Sequence, residues 1–144
     1  MGTVLAYLLV AAVPQGSAFD CTPEALWDGD GPIWCKEGPR IRLAGISARE
    51  LDGSCSPGHP CPVADAYAAR DHLASLLGRV TGTAPTGHLR VEGPVLRCVS
   101  RGAAGGNRTA AFCTSPRAGD LSCAMVRSGY AARWDRYWGA HRCD

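Results

Sequence analysis

The sequence predicts a small α+β domain, and three observations carry that reading. Short β-compatible runs are punctuated by clusters of turn formers, one long stretch repeats its apolar residues at helical spacing, and eight cysteines are spread over 144 residues. A chain of this length suits one domain with a core of its own, and no repeat or low-complexity block divides it.

The elements follow in order. Met1 to Ala18, MGTVLAYLLVAAVPQGSA, carries no charged side chain, holds an apolar run through Val13 and ends in small residues. It reads as a signal peptide over 1–18, leaving a domain over 19–144 and a secreted or periplasmic address. The apolar run is short for a bilayer core, so no stable membrane insertion is expected. Asp28-Gly29-Asp30-Gly31-Pro32 is dense in turn formers between short β-compatible runs and predicts a hairpin turn with its carboxylates at a strand end. Ile41 to Ile46 alternates as a half-buried strand should, with Arg42 facing away from Ile41 and Leu43. Val63 to Leu77 repeats Ala66, Ala69, Leu73, Leu76 and Leu77 at helical spacing, with Pro62 and Gly78 as start and stop signals. His88 to Val99 and Arg108 to Thr114 read as two strands around the glycine-rich turn Gly102 to Asn107. A last helix starts at Asp120, a suitable N-cap, and stops at Gly129.

Carboxylates, arginines and a glutamate at these intervals suit metal-assisted phosphodiester chemistry. Ca²⁺ takes carboxylate and carbonyl oxygens, a guanidinium forks onto phosphate, and a carboxylate beside an attacking water can take its proton. Taken alone, an Asp-Gly-Asp tripeptide is a turn and an arginine on a strand is a solvated face. The combination is more specific. DGD, a short strand, then IRLAGI followed by Glu50 resembles the staphylococcal nuclease-like (thermonuclease) family, whose pattern there is approximately DGDT, a strand, RLxGIDxPE. The resemblance extends over nearly all of the chain beyond the N-terminal segment. Gly106-Asn107-Arg108 stands where the family has YGR, and Asp120 to Ala131 is similar to its vN..LVrxGlA helix.

The resemblance implies a five-stranded OB-type β-barrel with about three packed helices. It also implies a Ca²⁺-dependent nuclease acting on DNA or RNA, most simply as a monomer. In that scheme Asp30, Ser47 and Ala48 occupy the metal positions, Glu50 is the general base, and Arg42 and Arg108 bind the phosphate. Four departures bear on the carry-over: Ser47 replaces the second metal-binding aspartate, Arg49 a proline and Gly31 a threonine, and Gly105-Gly106-Asn107 replaces the polar lead-in to Arg108. Ser47 removes a charge, so Ca²⁺ is expected to bind weakly unless Asp28 or Asp52 compensates. The alternative is a domain that keeps the barrel and binds nucleic acid or another partner without cutting it.

With a formal net charge of only +2, the chain has no polycationic tail to hold nucleic acid by charge alone. Eight cysteines suit an oxidising compartment, and local arguments pair them. Cys21 and Cys35 flank the Asp28 turn, Cys98 and Cys113 flank the Gly102 to Asn107 turn, Cys55 and Cys61 enclose a short loop, and Cys123 with Cys143 ties the C-terminus to the last helix. Zinc is the competing reading, helped by His59, but paired CxxC spacing is lacking. His59, His72, His88 and His141 share no spacing and read as ordinary surface or helix residues. Trp134, Tyr137 and Trp138 read as packing onto the barrel rather than stacking on bases. Asn107-Arg108-Thr109 is formally a glycosylation sequon.

Overall fold

Alternation of buried Ile33, Ile41 and Leu43 with the less deeply buried Trp34, Arg40 and Arg42 builds the centre of a large sheet with one face turned to the core. A computed structural model of the chain describes residues 11–144. Among them eleven strands and three helices are formed: β1 Ala18–Cys21, β2 Pro23–Asp28, β3 Gly31–Cys35, β4 Arg40–Leu43, β5 Ile46–Ser47, α1 Ala66–Leu77, β6 Arg79–Thr83, β7 Leu89–Glu92, β8 Leu96–Ala103, β9 Arg108–Ser115, β10 Gly119–Asp120, α2 Leu121–Arg127, β11 Ala132–Arg133 and α3 Asp135–Trp138.

The main sheet has nine strands in the order β1-β8-β9-β4-β3-β2-β7-β6, with β10 added to β9, whereas five strands were expected. Two of the additions were hidden in the sequence for physical reasons. All five residues of β6 are exposed, so it carries no alternation, and β1 lies across the expected end of the leader. All neighbours on the path are antiparallel except β4 and β9, which run parallel with Arg40 opposite Arg108 and Arg42 opposite Ala110. Strands β5 and β11 form a separate small ladder, Ser47 opposite Ala132.

The single strand expected over 88–99 is two. Pro94 has no N–H for a ladder, and a side chain at Gly93 would collide with Leu77 O, so the chain breaks between β7 and β8 where it passes under α1. Helix α1 starts three residues later than expected. Asp65, not Pro62, caps it, its carboxylate accepting from Ala68 N at 3.0 Å. Asp120 caps α2 as expected, accepting from Cys123 N at 2.8 Å.

Leu26, Ile33, Ile41, Leu43 and Leu96 from the sheet meet Leu73 and Leu77 of α1 and Leu121 and Met125 of α2 in one buried cluster. Each such side chain contributes about 1.5–3 kcal/mol on burial. The four disulfides are Cys21–Cys35, Cys55–Cys61, Cys98–Cys113 and Cys123–Cys143, the pairs that local geometry predicted. Residues 1–10 of the expected signal peptide lie outside the described residues. Further on, Val13 N donates to Thr109 Oγ1 at 2.9 Å and Ser100 Oγ donates to Val13 O at 2.7 Å, joining this segment to β8 and β9. Among the described residues no helix is long and apolar enough to cross a membrane.

Candidate active site

The Asp28 to Gly31 turn is fixed by close packing. A Cβ on Gly29 would lie 2.7 Å from Ala69 Cβ of α1 and 2.9 Å from Ala48 Cβ, so only glycine lets the turn sit between helix and β5. Gly31 has φ +115°, which a threonine would adopt only under strain. Both aspartates are consequently buried. Asp28 Oδ1 accepts from Asp30 N at 3.1 Å, and Asp30 Oδ2 accepts from Ala48 N at 2.9 Å and from Arg42 Nη2 at 3.4 Å.

Burial pushes the Asp28 carboxyl up to about 9, helped by the neighbouring Asp30 charge and, more weakly, by Glu50. Two adjacent carboxylates removed from water, with a third within electrostatic reach, form a donor set that suits a hard divalent cation. Of the two carboxylates that the sequence offers as substitutes, Asp28 is buried beside Asp30. Asp52 is committed elsewhere, its Oδ1 accepting from Ser54 N at 2.8 Å and Ser54 Oγ at 2.6 Å on an exposed loop. Ser47 is buried in β5, and Ala48 meets Asp30 through its N–H.

Glu50 opens a loop closed by Cys55–Cys61. Its N–H donates to Ser54 O, Gly53 N donates to its carbonyl, and its Oε1 accepts from Ser56 Oγ at 2.9 Å. Arg49, standing where the family pattern has proline, ties the same loop through Nε to Pro62 O and Nη1 to Gly53 O, each at 2.8 Å. The loop also carries His59 against the Trp134 ring, centroids 4.3 Å apart.

Arg42 is held from three sides: Nη1 donates to Leu43 O at 3.1 Å and Ile46 O at 3.0 Å, and Nη2 faces Asp30. It lines a cleft of about 360 Å³ together with Arg101, Arg108, His59, Trp134 and Tyr137 over a floor of small residues. Arg108 reaches the cleft from the turn after β8, with Nη2 donating to Ala104 O at 2.7 Å. The structure thus joins Arg42 and Arg108 in one cleft and links Asp30 to Arg42. Asp30, Ser47, Ala48 and Glu50 are not among the residues that line that cleft.

Four features were missed or misread in the sequence. His59 is a cleft residue, which required knowing that the Cys55–Cys61 loop folds back. Of the three C-terminal aromatics only Trp138 packs in the core, while Trp134 and Tyr137 line the cleft. Arg101 joins the cleft beside a register shift between Ser100 and Gly102, which no alternation pattern signals. His141 is likewise no free surface residue. It lies stacked on Phe112, centroids 3.6 Å apart, with Nε2 2.7 Å from Asp120 Oδ2. Asp120, Cys123 and His141 are grouped closely enough to hold a metal, but Cys123 is oxidised to Cys143 and Asp120 caps α2, so the group clamps the C-terminus.

Compared with known proteins, the chain matches no family model, and no curated protein or solved structure is significantly similar to it.

Proposed function

We propose that this domain is an exported, Ca²⁺-dependent nuclease of the staphylococcal nuclease-like type, hydrolysing phosphodiester bonds in DNA or RNA. The observation that carries the reading is the coupling of the buried Asp28–Asp30 turn to Arg42, with Arg42 and Arg108 brought into one cleft by the parallel β4–β9 pair. An OB-type barrel is supported by the pairing pattern. Strands β2, β3 and β4 form a meander, β4 passes to β9 in parallel and β9 to β8, and β8 continues the chain from β7, which returns to β2.

Asp30 and Asp28 would hold the Ca²⁺, whose bound form supplies charge to the scissile phosphate and acidity to an attacking water. Ala48 N–H orients Asp30. Arg42, held by two carbonyls and Asp30, presents its remaining donors to a phosphate oxygen without reorganising, and Arg108 meets the other side. Glu50, oriented by Ser56, accepts the proton of the water. A second reading, binding without cleavage, draws support from Ser47, which leaves an uncharged side chain at a family metal position. Incubation of the purified protein with denatured DNA, with Ca²⁺ or with chelator, separates the two. Ca²⁺-dependent fragments support hydrolysis, and retained DNA without fragments supports binding alone.

A further inference from the structure

Beside the cleft, on the outer face of the sheet, lies a second cluster that the proposed chemistry leaves unused. Arg40 precedes Arg42 by two residues on β4, a step of about 7 Å along the same face. Arg40 also faces Arg108 across the parallel ladder. Its antiparallel neighbour on β3 is Trp34, and the guanidinium carbon sits 4.1 Å from the Trp34 ring centroid. Trp34 is opposite Ala25 on β2 and meets His88, centroids 4.3 Å apart, and His88 meets Trp27 at 4.8 Å.

Among the described residues neither Arg40 nor Arg70 makes an ion pair, and Arg70 Nε is buried with no hydrogen-bond partner. Arg70 reaches the same region, its Nη1 donating to Gly87 O at 3.4 Å. Burial, then Arg40 and Arg70, lowers the His88 pKa, as expected where cations crowd without a carboxylate. Aromatic π-faces beside unpaired guanidinium groups are complementary to nucleobases joined by phosphates.

We propose that Trp34, with Arg40 and Arg70 and backed by His88 and Trp27, is a second nucleotide-binding platform that holds a single strand next to the segment in the Arg42–Arg108 cleft. The platform rests on the nucleic-acid reading of that cleft and deepens it: the ligand is single-stranded and longer than the cleft alone accommodates. Arg40 covers one face of Trp34 and His88 lies against the same ring, so a base stacks on the outer plane of the Arg40 guanidinium while the edge donors of Arg40 meet an adjacent phosphate.

The test uses the Glu50→Gln protein, so that cutting does not complicate binding, and fluorescence anisotropy with oligothymidylate of about eight nucleotides and with a dinucleotide. Arg40→Gln and Trp34→Leu should each weaken binding of the longer strand about tenfold and leave the dinucleotide within about twofold. Arg40→Gln should also reduce the magnitude of the salt slope of the longer strand by about one. Arg40→Gln removes only a half-exposed charge, so it decides the matter if Trp34→Leu fails to fold. Unchanged binding of the longer strand in Arg40→Gln, equal losses for both ligands, or no binding of the longer strand by the parent would each overturn the platform. Failure of the nuclease reading looks different: no Ca²⁺-dependent cutting by the native protein, with Arg40-dependent, length-dependent binding intact, leaves the platform standing.

Discussion

Arg42 and Arg108 face one cleft but are held in opposite ways. Arg42 rises from the middle of the sheet, its side chain 13% exposed, and is fixed by Leu43 O, Ile46 O and Asp30. Arg108 follows a turn of glycines, and among the described residues its side chain bonds to Ala104 O and Gly105 O, a few residues away. One guanidinium is thus built into the fold, and the other is presented by a local turn. An electrostatic site can in this way divide its labour: a rigid donor sets position at no reorganisation cost, and a locally held one adapts to the ligand.

The sharpest way to break this comparison is to delete each arginine. Arg42→Ala and Arg108→Ala should each lower turnover at least ~10²-fold, the usual scale for a phosphate-stabilising donor. Only Arg42→Ala should also destabilise the domain, by about 3 kcal/mol, because it strands the buried Asp30 beside Asp28. Urea titration of both variants checks this, and equal stability losses would erase the distinction.

Next in size is Asp28. Its folded pKa is raised to about 9 from an ordinary 3.8, so the folded state without metal holds one more proton than the unfolded state between those values. Stability without metal therefore falls as pH rises through this window, by up to about 1.4 kcal/mol per pH unit. Asp28→Asn should flatten that slope and raise the melting temperature at neutral pH in chelator, while weakening Ca²⁺ binding. Thermal scans across the window measure it, and an unchanged slope contradicts the assignment.

Ser47→Asp sharpens the metal half of the comparison. A third carboxylate beside Asp28 and Asp30 should tighten Ca²⁺ about tenfold in calorimetry and lower stability in chelator. Unchanged affinity would mean that position 47 does not face the ion.

The effect on activity is expected to be smallest at Cys55–Cys61, which closes a loop of only six residues' separation. Replacing both cysteines with serine should cost about 2 kcal/mol and lower activity through a looser Glu50, with Arg42 unaffected. Activity unchanged at full loss of the bridge would show that Arg49 alone holds the loop.

How much of this was readable in the sequence depends on how local its cause is. The Asp28–Asp30 turn, the Asp120 cap and all four disulfide pairs follow from neighbours or flanking turns, and each was legible. The start of α1 was not, because Pro62 O is taken by Arg49 from thirteen residues away, leaving Asp65 as the cap. The cleft residues His59, Arg101 and Trp134 converge from three distant segments, and nothing in their own surroundings marks them. Asp28 and Asp52 are equivalent in the sequence as substitute carboxylates, and what separates them is the burial of Asp28 and the bonding of Asp52 to Ser54 on an exposed loop.

The most direct test of the central account is single-turnover cleavage of denatured DNA by Glu50→Gln at saturating Ca²⁺. Glu50 lies on an ordered loop and supports none of the core, so the account predicts a rate loss of at least ~10²-fold with an unchanged melting temperature and unchanged Ca²⁺ affinity. Native-like cleavage by Glu50→Gln would contradict it.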